Sequence, residues 1–349
     1  MKFYLIPIVF VCFVTGFQMP NAAGQALNKT KTEIKKSEFS EYASVYEFYL
    51  SNMLAWETGE FMVKVAKTKD STNLRKKVGH LVFEETRIYR IKFDYPNKRF
   101  LCLVQEEFDP LLFVHDSIAE EDANKIGKRF SQFGFCCLEK EAFIRKFPAT
   151  TTSLKQGDMT EKLSKRFKVP DFRTFGVLTE SSSARFSQLE EITPRLASGY
   201  DIVEAENSAG GVLKFVRHRP IKSSNGEQYF VTTSEFDSKT MMPTLRKIEV
   251  SVLEDSKRKR VLDSSEMLKW RSIDGIHVPV SLNKEGKGTE RFLGKRFFFD
   301  TTVDMEFKWI SLNKDFEPEE FDPELLTDFG KLLKFEDVKD LEQTQGGSE

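Results

Sequence analysis

Apolar and polar residues alternate with a period of two along much of the chain, and these stretches predict β-strands. Residues 61–65 and 89–93 each place apolar side chains on one face, and in 89–93 the intervening residues are basic. Residues 100–104 are apolar throughout, which indicates a more deeply buried strand. Strict alternation is typical of antiparallel strands with one face on a core and one face in water.

From residue 200 onward, strands and turns follow one another in regular succession. Strands are predicted over residues 201–206, 212–217, 229–236, 248–252, 268–273, 276–282 and 303–309. The dipeptides Asn225-Gly226 and Asp274-Gly275 favour the tight turns of β-hairpins. The pattern therefore indicates about ten strands arranged in consecutive hairpins.

Helical periodicity occurs at four places. Apolar residues at spacings of three and four predict an amphipathic helix over residues 41–54. A capping-box sequence at residues 117–120 precedes apolar residues at helical spacing as far as Phe133, which predicts a second helix. Residues 158–170 begin with an N-terminal signal and end at a proline, so they predict a third, and residues 324–333 predict a short fourth helix.

These elements predict a mainly β fold of the α+β class. One meander sheet of this length must curl or close, so we expect a strongly curved antiparallel sheet that forms an incomplete β-barrel. The helices would then pack in or over its concave face. A single domain is expected over residues 41–335, with a weak boundary near 150–195 and a disordered tail at 336–349.

The first 24 residues resemble a secretory signal peptide. Lys2 precedes an uncharged apolar run at residues 3–17, and small residues at 22–24 suit cleavage by signal peptidase. A run of 15 residues is shorter than the roughly 20 that span a bilayer, so no transmembrane segment is expected after cleavage. Cys12 follows a bulky valine inside the run, which argues against a lipid-modified cysteine. Residues 25–40 are polar and predict a flexible lead-in, and the protein is expected to be secreted or periplasmic, in a bacterial cell envelope.

Composition adds three constraints. The chain has 33 Phe against 8 Tyr and 3 Trp, an aromatic surplus suited to burial in a core or around an apolar ligand. Removing residues 1–24 leaves 52 basic and 54 acidic residues, a net charge of −2 that argues against a nucleic-acid partner. The remaining cysteines, Cys102, Cys136 and Cys137, predict buried free thiols or at most one disulfide, between Cys102 and one of the pair.

Sequence motifs for catalysis are missing. The chain contains no G-x-S-x-G, H-E-x-x-H or C-x-x-C sequence and no nucleotide-binding glycine fingerprint. Its four histidines lie at least 35 residues apart, which does not suit a local metal site. We therefore expect a non-enzymatic protein with no cofactor and no metal. A hydrolase whose residues assemble only in three dimensions is kept as an alternative.

Two segments carry a family resemblance. The first runs from Tyr229 through a D-x-x-T loop at residues 237–240 to Pro243, and the second joins residues 270–279 to a closing strand at 307–313. Over about residues 200–322, the chain resembles the outer-membrane lipoprotein-sorting (LolA-like) proteins and their uncharacterised secreted bacterial relatives. The resemblance implies an incomplete β-barrel whose mouth is filled by helices, and an apolar hollow that receives acyl chains. It implies no catalytic residue.

The leading hypothesis is therefore a carrier that binds a lipid or lipoprotein acyl chain in an apolar half-barrel, with an envelope membrane complex as a possible partner. The strand faces supply these candidate cavity residues: Phe61, Tyr89, Phe93, Ile248, Val250, Met305, Phe307 and Trp309. For most of them, an ordinary place in the core is the competing interpretation. The competing function is a structural or protein-interaction module of the envelope with a filled core and no ligand.

Overall fold

The computed structural model describes residues 36–71, 80–113, 129–138, 141–146, 152–155, 201–208, 211–221, 228–254, 257–292, 295–327 and 334–341. Its elements in chain order are α1 (Lys36–Leu54), β1 (Thr58–Asp70), β2 (His80–Asp94), β3 (Arg99–Phe113), β4 (Arg129–Leu138), β5 (Glu141–Lys146), β6 (Thr152–Lys155), β7 (Asp201–Ser208), β8 (Val212–Ile221), β9 (Gln228–Asp237), β10 (Pro243–Glu254), β11 (Lys257–Ile273), β12 (Ile276–Phe292) and β13 (Lys295–Leu312), followed by the 3₁₀ turns Pro318–Phe321 and Pro323–Thr327.

The described strands form one antiparallel sheet of 13 strands. Two meanders, β1 to β6 and β7 to β13, join through pairing of β1 with β13, and β6 and β7 are the two ends of the strand order. The sheet is therefore not closed into a barrel. The predicted mainly β, antiparallel fold is confirmed, and each of the ten predicted strands lies within an observed strand.

Helix α1 covers one face of the sheet, called here the helix face. Its side chains Val45, Tyr46, Tyr49 and Met53 join one large core cluster with strand residues. The ring of Tyr46 meets Phe236 of β9 edge-on at 5.6 Å. The predicted helix at 41–54 is confirmed, and α1 begins earlier, inside the predicted flexible lead-in.

The opposite face is covered by the C-terminal strap, defined as the described residues between 316 and 341. Phe321, Leu326 and Phe335 of the strap form a second cluster with residues from β1, β3 and β4. Residues Leu101 and Leu103 of β3 point into this cluster, while their neighbours in the strand point to the helix face. The apolar run at 100–104 follows from this arrangement, because β3 has a core on both sides.

The strap ends at a place where β12 and β13 separate. Their pairing stops at Ser281 and Glu306. Beyond that point the backbone N–H of Trp309 donates to Asp340 Oδ1 at 2.7 Å, and the N–H of Leu341 donates to the Trp309 carbonyl at 2.7 Å. The strap thus supplies strand-like hydrogen bonds to the edge that β12 leaves open.

The guanidinium group of Arg271 fixes Asp340 from the neighbouring strand β11. Its Nη1 donates to Asp340 Oδ2 at 2.6 Å, and its Nη2 pairs with the other oxygen. Leu341 packs against the helix-face cluster. The sequence predicts a disordered tail from residue 336, whereas the structure places 336–341 in these contacts.

Three helix predictions have other outcomes. The expected helix through Phe133 is wrong from residue 129, because β4 pairs with β3 there and Phe133, Phe135 and Cys137 alternate onto the helix face. Pairing with a neighbouring strand outweighs a helical spacing that is carried by only a few residues. Residues 114–128 and the helix predicted at 158–170 lie outside the described residues. The short helix at 324–333 is a 3₁₀ turn, Pro323–Thr327, in its described part.

Two predicted turns have the geometry that their residues favour. Asp274 and Gly275 both have positive φ, 50° and 82°, and connect β11 to β12 in a hairpin. This combination is the type I′ turn, which matches the twist of the flanking strands. In the D-x-x-T loop, Asp237 Oδ1 accepts the N–H groups of Lys239 and Thr240, the latter at 2.8 Å. Its pKa is lowered, chiefly by the Thr240 N–H bond.

The three described cysteines are free and buried. Cys102 and Cys137 face α1, and Cys136 lies under the strap, where its thiol donates to the Phe321 carbonyl at 2.9 Å. Burial raises the pKa of Cys136 and of Cys137 to about 12. The expectation of buried free thiols is confirmed, and we expect these groups to remain protonated at neutral pH.

Leu326→Ala should destabilise the protein, since Leu326 is fully buried under the strap while the adjacent Leu325 is 37% exposed. We expect a loss of about 2–5 kcal/mol in the free energy of unfolding for Leu326→Ala. Leu325→Ala should cost less than about 1 kcal/mol. Urea denaturation of both variants provides the measurement, and equal losses would contradict the proposed role of the strap as a cover.

Candidate functional site

Six of the eight predicted cavity residues meet in one buried aromatic compartment on the helix face. Phe61, Tyr89, Phe93, Met305, Phe307 and Trp309 all belong to the cluster that α1 covers. The ring of Phe61 stacks on Trp309 with centroids 4.7 Å apart, and lies 6.2 Å from the ring of Phe93. These side chains and four of α1, Val45, Tyr46, Tyr49 and Met53, belong to the same cluster.

The other two predicted cavity residues lie elsewhere on the sheet. Ile248 and Val250 of β10 are half-buried and do not belong to the compartment cluster. The register pairs Ile248 with Ser264 and Thr232, and Val250 with Val261 and Phe230. By alternation they are on the helix face, two and four residues along β10 from Arg246.

Polar contacts hold the C-terminal part of α1 to the open edge of β12. The side-chain amide of Asn52 donates to the His277 carbonyl at 2.8 Å and accepts the His277 N–H at 2.8 Å. Trp56 Nε1 donates to the same carbonyl at 3.2 Å. Asn52 thus satisfies backbone groups that pairing with β13 would otherwise satisfy, and the ring of Trp56 meets Trp309 edge-on at 5.0 Å.

A row of eight register partners, five of them charged, crosses the helix face at the border of the aromatic compartment. The register connects residues of neighbouring strands in this order: Glu85, Lys67, Val303, Lys284, Glu266, Arg246, Ser234 and Phe215. We call this set the charged row. Within β11 and β9, Glu266 and Ser234 lie two residues from Leu268 and Phe236 of the compartment, a step of about 7 Å.

The centre of the charged row is a buried polar group. Glu266 is buried, and its carboxylate pairs with Lys284 at 2.9 Å and more loosely with Arg246 Nη1 at 3.9 Å. Arg246 Nε and Nη1 are buried without a hydrogen-bond partner among the described residues, and so is the hydroxyl of Ser234. An uncompensated buried donor costs about 1–3 kcal/mol, so this group is suited to receive an acceptor.

Arg87 of β2 gives a useful contrast on the other half of the sheet. Its terminal nitrogens contact Glu85, the Glu106 carboxylate at 3.1 Å and the Tyr89 hydroxyl at 3.5 Å. Burial opposes the charged form of Arg87, but Tyr89 and the two carboxylates outweigh it, so its pKa lies above the ordinary value. Arg87 therefore already has acceptors for its terminal nitrogens, whereas Nη1 of Arg246 lacks one; the Nε atoms of both residues are buried without a hydrogen-bond partner among the described residues.

Three small residues and Ile248 lie beside the charged row on the side away from α1. Gly286 and Ser264 are register partners there, and Ile248 of β10 lies between Ser264 and Thr232. A Cβ added at Gly288, the next helix-face position of β12, would meet no atom within 4 Å. This end of the helix face is therefore less filled than the aromatic compartment.

The sequence analysis missed Arg246, Glu266, Lys284 and Ser234. The sequence does contain a signal for them, because each lies at a strand position where the alternation places side chains toward the core. Arg246 alternates in step with Ile248, Glu266 with Leu268, and Lys284 with Leu282. A charged residue at a position where the alternation expects an apolar one is a marker of a buried polar site.

No cluster of three or more potential metal ligands occurs among the described residues. Within the same part of the chain, no helix combines the length and apolar composition that a membrane span requires.

His277→Gln should weaken the pH dependence of stability. Burial lowers the pKa of His277 below its ordinary value, while Asp237 acts in the opposite direction. His277 therefore binds a proton more readily in the unfolded chain than in the folded protein. Its neutral form contributes to the stability of the folded state above about pH 6.5, and this contribution is lost as pH falls through the lowered pKa of the folded state.

The measurement is urea denaturation of wild type and His277→Gln between pH 8 and pH 5. Wild type should lose up to about 1.4 kcal/mol per pH unit more than the variant in the acidic part of this range. Parallel curves for the two proteins would show that His277 titrates alike in the folded and unfolded states.

No protein-family model matches the chain, and no curated protein matches it. The chain is similar to the crystal structure of a DUF1329 family protein from Desulfovibrio piger ATCC 29098, with 12% identity and a TM-score of 0.35 over 81% of this chain and 98% of that chain. A β-barrel-like protein of DUF1849 from Brucella abortus is similar over 72% of this chain and 98% of its own, with 10% identity and a TM-score of 0.16. At these scores the likenesses carry no argument about function.

Proposed function

We propose that this protein is a non-catalytic binding protein of the bacterial cell envelope that holds the acyl chain of a lipid or lipoprotein on the helix face of its sheet. The acyl chain would take the place of α1, which covers the aromatic compartment in the absence of ligand. The sheet would curve around this compartment as an incomplete barrel. The signal-like residues 1–24 support export of the chain.

The proposal rests on the fact that a helix, and not a second sheet, covers the aromatic compartment in the described part of the chain. Among the described residues, one helix packs on it, and a connection of three residues, 55–57, joins this helix to β1. Removing apolar area from water contributes about 25 cal/mol per Å², whichever apolar group covers the compartment. An acyl chain and α1 can therefore compete for one surface at a moderate difference in free energy.

The charged row supports the same proposal. Lipids have a polar end, and a binding face for them combines an apolar surface with a few convergent polar groups. Here the buried carboxylate of Glu266 and the half-buried side chain of Arg246 lie about 7 Å along the strands from the compartment. The helix face thus offers separate surfaces to the two ends of an amphipathic molecule.

A structural module with a permanently closed core is the second candidate. The hydrogen bonds between Asn52 and His277 and the contact between Trp56 and Trp309 favour it, because they fix α1 in place. A hydrolase finds less support. The described His277 has Asp237 nearby, but Asp237 Oδ1 already accepts bonds from its own loop.

Binding is tested on protein purified from the envelope without detergent. Native mass spectrometry should show a co-purified lipid, and a fluorescent fatty acid should bind to delipidated protein. Displacement of α1 would separate Trp56 from Trp309, so tryptophan emission should change with ligand in wild type and change less in Trp56→Phe. Protein free of lipid that takes up no fatty acid would support the structural module instead.

Asn52→Ala tests whether α1 is a displaceable cover. The substitution removes two hydrogen bonds that dock α1, a loss of about 1–3 kcal/mol, and so should tighten fatty-acid binding by about fivefold or more. Ser51→Ala is the matched control, because Ser51 is exposed and bonds only within its own helix, to the Glu47 carbonyl. Unchanged or weaker binding in Asn52→Ala would contradict displacement of α1.

A further inference from the structure

The geometry points to an oxyanion-binding site in the charged row, formed by Arg246 of β10 and Ser234 of β9, that receives the phosphate or carboxylate of an anionic amphiphile. This inference rests on the proposed function and names its ligand class: acyl chains that end in an acidic headgroup, in preference to neutral ones. The chemistry shared by these headgroups is an oxygen anion that can accept several hydrogen bonds at once.

Arg246 and Ser234 are direct register partners across adjacent antiparallel strands. Their Cβ atoms therefore lie about 5 Å apart, on the same face of the sheet. Ser234 is 1% exposed and pairs on its other side with Phe215, a member of the aromatic compartment cluster. The two polar side chains thus lie side by side at the border of the apolar surface.

Three donors in this pair have no acceptor among the described residues: Arg246 Nε, Arg246 Nη1 and the Ser234 hydroxyl. Nε–H and Nη1 open to different sides of the planar guanidinium group, so one oxygen anion would accept from one of them and from the neighbouring Ser234 hydroxyl. This donor set suits an oxyanion and offers nothing to a neutral apolar molecule.

The positive charge of Arg246 is compensated less closely by the Glu266 carboxylate than the positive charge of Lys284 is. The Glu266 carboxylate lies closer to Lys284, at 2.9 Å, than to Arg246, at 3.9 Å. Asp263 is a further carboxyl group that interacts with Lys284. A cation with buried donor atoms and a distant counter-charge is costly, so an anionic headgroup beside Arg246 is stabilised by charge as well as by hydrogen bonds.

The surroundings allow such a group to enter. The next residues outward on the helix face are Thr232 on β9, Ile248 on β10, Ser264 on β11 and Gly286 on β12, and all of them except Ile248 have small side chains. Inward, the compartment begins about two residues away along each strand, at Phe236 and Leu268. A headgroup at Arg246 would therefore have its acyl chain directed over the aromatic compartment.

The test compares two ligands that differ only in the phosphate, 1-oleoyl-lysophosphatidic acid and 1-oleoylglycerol, with inorganic phosphate as a third probe. Binding of each to the delipidated full-length protein is measured by calorimetry. Wild type should bind the phosphate-bearing lipid about tenfold or more tightly than the neutral one. Arg246→Gln should abolish that ratio, and Ser234→Ala should reduce it by about threefold while removing a single hydroxyl.

Lys247→Gln is the matched control, since it removes the same charge from the next residue of β10, on the opposite face, where Lys247 pairs with Glu249 at 2.9 Å. It should keep the wild-type ratio. Thermal unfolding of each variant identifies loss of fold, and Ser234→Ala provides the answer if Arg246→Gln does not fold.

The outcomes separate this inference from the proposed function. Equal binding of both lipids by wild type, or a preference that survives in Arg246→Gln, would overturn the oxyanion site and leave the lipid carrier standing. Arg246-dependent binding of inorganic phosphate without binding of either lipid would support the site and overturn the carrier. Absence of all binding would overturn both.

Discussion

A single open sheet has two faces, and the need to cover both of them determines the rest of this structure. Helix α1 buries the aromatic helix face, and the C-terminal strap buries the opposite face over β1, β3 and β4. No second sheet lies across either face in the described part of the chain, because all 13 strands belong to one sheet. Each cover is therefore a short segment that lies close to one end of the described residues. A ligand that binds a face of the sheet would have to overcome the free energy with which its cover docks.

The two covers meet at Trp309. The strap binds the backbone of this residue through Asp340 and Leu341, while its ring lies between Phe61 and Trp56 and its indole N–H donates to the Pro279 carbonyl. This convergence arises because β12 and β13 separate, and the freed backbone groups need partners. A change in the position of α1 would therefore alter the contacts of Trp309, the residue whose backbone binds the strap.

Much of the fold can be predicted from the sequence, since period-two alternation marks one-sided burial directly. The ten predicted strands and the Asp274-Gly275 hairpin depend on local signals of this kind. The candidate binding group does not. Arg246, Ser234 and Glu266 come together only through the register of three strands, and a register is a property of pairing that no single strand contains. For the same reason the helix predicted through Phe133 is wrong from residue 129, because β4 is defined there by its pairing with β3.

The pairing of β1 with β13 has a consequence for biogenesis. These strands are adjacent at the centre of the sheet, yet more than 200 residues separate them in the chain. A high contact order slows folding, and here the central pair cannot form until the last strand has left the ribosome. The N-terminal meander must wait as an incomplete sheet with an unpaired edge on β1. A chain built in this order reaches its native topology only once β13 has been synthesised, because the two meanders cannot join before then.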